Sequence, residues 1–215
     1  MPLAGKSSEL CEKKQEDTPP KMSFVGLQIN PNTRKVIAFA DSKGSKRDGC
    51  GTLVLDQDYP VVNKIFATDQ YIAVTHGINT IPYHSNTIRI EDLVDIFADN
   101  GLENIFLQIK EGLQKIQEEE AVFFIYVKKK EYNYVHSIQI TKWDIFDTKS
   151  YIEQPTCCTG GNGGYLGIFK DTMELKYGSK EEIKNVIVQM IELKDSMKDY
   201  NPVGSPVKVI EWDMV

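Results

Sequence analysis

The chain has 215 residues, 41% of them hydrophobic and 26% charged, which is enough apolar material for one substantial core and too much for a disordered chain. Its formal net charge is -6, with lysines scattered among acids, so the basic stripe that nucleic-acid binding requires is missing. No apolar run approaches the ~20 residues that cross a bilayer, and Met1-Pro-Leu-Ala-Gly-Lys6 lacks the apolar stretch of a secretion signal; a cytoplasmic protein that binds neither nucleic acid nor membrane is expected.

Residues Met1 to Lys21 hold almost no large apolar side chains and end in Thr18-Pro-Pro-Lys21. They offer little burial to offset the entropy of ordering. Residues 1–22 therefore read as a flexible extension or propeptide, and 23–215 as the folded domain. Of the four cysteines, Cys11 lies in this polar tail, Cys50 between two glycines, and Cys157 and Cys158 are adjacent. Such spacing suits neither a zinc site nor a disulfide framework, so free thiols are expected.

From Phe24 the pattern is that of strands. Phe24–Ile29 and Val36–Ala40 flank Asn30-Pro-Asn-Thr33, whose Pro and Asn fit a tight reversing turn. Ile37-Ala-Phe-Ala40 is apolar on both faces, as in a strand covered from two sides. Thr52–Leu55, Val61–Phe66 and Tyr71–Thr75 follow as short strands. The period then lengthens: Ile90–Ala98, and a segment carrying Ile105, Phe106, Ile109, Leu113 and Ile116, predict two consecutive helices. Ala121–Val127 and Tyr134–Ile140 form a second strand pair, which Ile145–Ile152 extends. A helix is expected over about Tyr165–Lys176. Another begins at Ser179, where Glu182 completes a capping box ahead of the apolar face Ile183, Val186, Ile187, Met190 and Ile191. Val207–Ile210 closes the chain as a strand.

Few residues suggest chemistry when taken singly. Asp41-Ser-Lys-Gly-Ser45 is an ordinary strand-to-turn exit, Lys64 an edge lysine, and Gly77 a turn glycine. His76, His84 and His136 are too scattered for a metal site. The glycine-rich Thr159-Gly-Gly-Asn-Gly-Gly164 lacks the Gly-Lys-Ser/Thr of a phosphate cradle. It reads instead as a segment whose backbone approaches a neighbour closely.

Together these residues carry a resemblance. Val25-Gly26-Leu27, Val36-Ile-Ala-Phe-Ala-Asp41-Ser42-Lys43-Gly44-Ser45, Lys64-Ile65 and Gly77, followed near the C-terminus by Ser179-Lys-Glu-Glu182, Asp199-Tyr200, Gly204 and a valine-rich last strand, resemble a proteasome β-type subunit of the N-terminal-nucleophile (Ntn) hydrolase superfamily. The resemblance implies an α+β, four-layer αββα sandwich. It also implies a peptidase that needs no cofactor or metal, acts on a peptide or protein substrate, and assembles into a homo-oligomeric ring or helical array.

In that chemistry the N-terminal residue supplies both a hydroxyl nucleophile and, through its own amine, the base. By position, the resemblance makes Asp41 and Lys64 the activating pair, Gly77 the oxyanion donor, Ser45 a substrate-binding hydroxyl and Asp199 the acid that supports the amine. Ser23 becomes the nucleophile once the preceding residues are removed. Counted back from Val25-Gly26, the family's threonine falls on Met22 and Ser23 lies one residue later. The alternative is a catalytically inactive structural or ring-forming subunit.

Overall fold

A computed structural model describes residues 23–50, 53–97, 101–173, 178–197 and 200–214. The expected 1–22 extension lies outside them. The first hairpin pairs β1 (Phe24–Asn30) with β2 (Lys35–Asp41), in register from Val25↔Ala40 to Asn30↔Lys35. The Asn30 side chain closes the turn by accepting from the amides of Asn32 (3.1 Å) and Thr33 (3.2 Å), the local bond that makes Asn a turn residue. Alternation along β1 sends Val25, Leu27 and Ile29 into one core cluster and Phe24 into another.

The other strands among the described residues are β3 (Ser45–Arg47), β4 (Leu53–Leu55), β5 (Ile65–Ala67), β6 (Tyr71–Gly77), β7 (Thr80–Tyr83), β8 (Asn86–Arg89), β9 (Ala121–Lys128), β10 (Tyr134–Thr141), β11 (Ile145–Tyr151), β12 (Thr156–Gly161) and β13 (Val207–Asp213). The helices are α1 (Ile90–Ile96), α2 (Leu102–Leu113), α3 (Gly163–Met173) and α4 (Lys180–Asp195). One sheet has the order β12-β1-β2-β13 and a larger one the order β11-β10-β9-β6-β5, while β3–β4 and β7–β8 form separate hairpins. Every pairing among the described residues is antiparallel.

Three apolar clusters hold these elements. Val25, Leu27 and Ile29 meet Ile65, Ile72, Val74, Ile125 and Val127 between the two large sheets. Leu93 of α1 and Ile105, Phe106, Ile109 and Leu113 of α2 bury Val122, Phe124, Tyr126, Ile138 and Ile140. Tyr165 and Phe169 of α3, with Ile183, Ile187, Met190 and Ile191 of α4, cover Phe24, Phe39, Val207 and Val209.

The plain four-layer αββα sandwich is corrected by this arrangement. The molecule is a mixed fold of several antiparallel sheets and four helices. The β7–β8 hairpin intrudes on the helical side, where Ile81 joins the α1–α2 cluster and lies so close to Gly112 that a Cβ there would collide with it. The glycine-rich stretch is also more than a loop, since Thr156–Gly161 pairs with β1 along its length. Close approach does account for its glycines: a Cβ on Gly161 (φ 107°) would strike the Ser23 carbonyl, and one on Gly160 the His76 ring.

Helix α4 starts as the sequence predicts. The Ser179 hydroxyl accepts from the Glu182 amide (3.3 Å) and the Glu182 carboxylate from the Ser179 amide (2.6 Å). Chemical denaturation checks the relative weight of cap and core here. Ser179→Ala is expected to cost about 1 kcal/mol and Ile187→Ala roughly 2–5 kcal/mol; the reverse order would place the helix's stability in its cap.

Candidate functional site: a buried Asp41–Lys64 pair

The ends of β1, β2 and β5 converge on one ion pair. Asp41 terminates β2 and Lys64 immediately precedes β5, so the pair joins the four-stranded sheet to the five-stranded one. Both residues are buried, at 0% and 2% exposure. Lys64 Nζ lies 3.0 Å from each Asp41 carboxylate oxygen and 3.0 Å from the Lys43 carbonyl. An ammonium has three protons; the two Asp41 oxygens belong to one carboxylate and lie in nearly one direction from Nζ, and the Lys43 carbonyl takes a second direction.

The carboxylate is equally occupied. Asp41 Oδ1 accepts from the Phe24 amide at 2.8 Å, and Oδ2 from the amides of Lys43 (3.2 Å) and Gly204 (3.4 Å). Burial drives the Asp41 carboxyl up and the Lys64 ammonium down from their ordinary values. Their mutual attraction opposes both shifts, and the amides of Phe24 and Gly204 further favour the carboxylate. The result is a fastening of four chain segments: the start of β1, the end of β2, the approach to β5 and the loop before β13.

The other sequence-derived candidates surround this pair unevenly. Ser23 is buried, and its carbonyl accepts from the Asn162 amide at 2.6 Å. By alternation it shares the inter-sheet face of Val25 and Leu27, while Phe24 turns toward α3 and α4. Ser45 is buried too; its hydroxyl lies 2.9 Å from the Tyr200 hydroxyl and donates to the Pro202 carbonyl (3.3 Å). Gly77 ends β6 opposite Val122 with φ 113°, and a Cβ there would strike the Ala121 carbonyl. It stands two residues beyond Thr75, whose amide donates to the Lys64 carbonyl (2.9 Å). Asp199 and Met22 lie outside the described residues.

The segment Tyr200–Gly204, whose Tyr200 and Gly204 carry part of the resemblance, closes over Lys43 and Ser45, a contact the sequence did not indicate. Lys43 Nζ donates to the Asn201 carbonyl (2.5 Å) and lies 4.6 Å from the centre of the Tyr200 ring. The Asn201 side chain accepts from the Tyr165 hydroxyl (2.9 Å) and the Val203 amide (3.2 Å), and donates to Asp195 (2.9 Å). Asn201-Pro202 shows in sequence only as the stop after α4, since Asn and Pro are common turn residues.

Cys50, Cys157 and Cys158 are free thiols. Among the described residues no cluster of three or more His, Cys, Asp or Glu is placed to hold a metal ion, and no helix is long and apolar enough to cross a membrane. His136 instead bridges Glu131 (3.2 Å) and Asp147 (3.4 Å) and stacks on Tyr126.

No protein-family profile and no curated protein matches the chain. Its fold is similar to that of Anbu (ancestral beta-subunit) from Yersinia bercovieri, with a TM-score of 0.50 and 10% identity over 88% of this chain and 80% of that one. An Anbu (Gly-1) mutant from Hyphomicrobium sp. strain MC1 gives a TM-score of 0.49 at 10% identity, over 89% and 82% of the two chains. These neighbours are Anbu proteins, a family distinct from proteasome β-type subunits, and the assignment to the latter is corrected accordingly. At this identity the likeness concerns the fold alone. The motifs behind the original assignment are mostly turn and strand-end residues, which many β-rich chains share.

The ion pair yields a stability test. Asp41→Asn or Lys64→Met alone leaves one buried charge unpaired and is expected to cost about 3–5 kcal/mol. The double variant should lose clearly less than the sum of the two, by roughly 1 kcal/mol or more in a double-mutant cycle read by urea denaturation. Simple additivity would mean that the two groups do not act as a pair.

Proposed function

We propose that this chain is a non-hydrolytic relative of the Ntn hydrolases, a structural subunit that associates with copies of itself, in which the Asp41–Lys64 pair fastens the fold instead of activating a nucleophile. The observation that carries this reading is the burial of Lys64 against both Asp41 oxygens and the Lys43 carbonyl, each at 3.0 Å, which ties the ammonium to the junction of the two sheets. A further feature supports it: the Ser45 hydroxyl, implied to meet substrate, is buried against Tyr200 and Pro202. The fold likeness to a protein described as an ancestral beta-subunit supports the self-associating role.

One observation favours a second reading, an Ntn amidohydrolase with Ser23 as nucleophile, Gly77 as oxyanion donor and Asp199 as support. Phe24, bonded directly to Ser23, donates its amide to Asp41. A cut before Ser23 would therefore place a free α-amine, with an ordinary pKa of about 7.7–8, within one residue of the pair.

Intact-mass analysis of natively produced protein, combined with fluorogenic peptide assays, decides between the two. The non-hydrolytic reading predicts that no chain begins at Ser23 and that no turnover exceeds the blank. A processed chain whose turnover disappears in Ser23→Ala would establish the hydrolase instead.

A further inference from the structure

Strand β11 is the edge of the five-stranded sheet, and nearly all of it is exposed. Exposed edges are normally blunted by charged side chains, proline, bulges or short length. This one has seven residues, Ile-Phe-Asp-Thr-Lys-Ser-Tyr, with no Pro or Gly, and of these devices it carries only the opposite charges of Asp147 and Lys149. It pairs with β10 without a bulge from Tyr134↔Tyr151 to Ile140↔Ile145. Large apolar groups stand in solvent along it: Phe146 is 53% and Tyr151 57% exposed, and Trp143 in the preceding turn 73%.

The hydrogen-bond phase of the free edge follows from its two ends. The Thr141 amide donates to the Asp144 carbonyl, and the Ile152 amide to the Asn133 carbonyl. Because backbone direction alternates, the even-numbered residues of β11 bond to β10. The odd-numbered residues Ile145, Asp147, Lys149 and Tyr151 turn their backbone groups outward. The Ile145 amide is already held by the Asp144 carboxylate at 2.8 Å.

From this we infer that β11 is a self-pairing strand that joins two copies of the chain about a two-fold axis through Thr148, making one continuous antiparallel sheet. Charge complementarity selects both the occupant and the register. Centred on Thr148, the pairing sets Asp147 opposite the partner's Lys149, Ile145 opposite the partner's Tyr151, and Phe146 opposite the partner's Ser150. Shifting the centre to Asp147 or Lys149 would place like charges directly opposite, which is unfavourable. In the Thr148 register the residues facing one another across the axis at its hydrogen-bonded positions are the odd-numbered ones, whose backbone groups already point outward. Within each copy, Asp147 and Lys149 lie on one face of the strand, where Asp147 meets His136 (3.4 Å) and Lys149 meets Glu131 (2.9 Å). The two-fold operation repeats every contact, as a closed dimer requires.

The inference rests on the self-associating part of the proposed function and names its surface. The test is light scattering of the full chain at micromolar concentration, with circular dichroism to confirm folding. The wild type is expected at twice the monomer mass. Asp147→Lys alone and Lys149→Asp alone each create two like-charge oppositions and should weaken association roughly ten-fold or more. Mixing the two variants in equal amounts should restore a dimer, because every opposition across the axis then becomes attractive. Association that neither substitution weakens overturns the β11 surface while leaving self-association standing. A monomeric wild type overturns both.

Discussion

The interaction on which the rest of the structure depends is the buried pair of Asp41 and Lys64. Each sheet can form its own ladder, and at this end a lysine beside one meets an aspartate of the other. An isolated charge so buried is costly, and the arrangement is tolerable because the carboxylate receives three backbone amides and the ammonium three oxygens. That satisfaction fixes the start of β1, the end of β2 and the loop at Gly204 to within hydrogen-bond tolerance. The geometry of Ser23, Ser45 and the Tyr200–Gly204 segment follows from it.

A polar latch of this kind and a catalytic lysine use the same two residue types, and partner geometry separates them. A lysine that assists a nucleophile directs a proton at it, whereas Lys64 here lies against the Asp41 carboxylate and the Lys43 carbonyl. The surroundings of the pair are closed. Tyr200 and Pro202 hold the Ser45 hydroxyl, and Asn201 anchors that segment to Tyr165 and Asp195.

Much of this architecture was legible in the residues. The Asn30-Pro-Asn-Thr33 turn and the Ser179–Glu182 box carry local bonds that sequence alone specifies, and the apolar face of α4 is where periodicity places it. Asp41 and Lys64 could be named, though their partnership depends on two sheets meeting, which no local signal encodes. β12 was read as a loop because its glycines are poor evidence of a strand; its pairing comes from β1, which supplies the missing drive. The role of Asn201 was hidden for a similar reason, since its three side-chain partners lie on α3, on α4 and in its own turn. The layered sandwich was an expectation of the resemblance, which does not show that a hairpin such as β7–β8 will settle among helices.

The two surfaces of interest lie apart in the fold: the latch where β2 meets the approach to β5, and the open edge at β11. The non-hydrolytic role proposed at the first places no constraint on the assembly proposed at the second. The central claim concerns the first, and it is tested most directly by a chain made to begin at Ser23 through a cleavable N-terminal fusion, assayed for amide hydrolysis beside its Lys64→Met counterpart. The account predicts no turnover by the Ser23-initiated chain, because Lys64 remains bound to Asp41 and Lys43. Turnover that appears on exposing Ser23, and vanishes in a folded Lys64→Met variant, would contradict it.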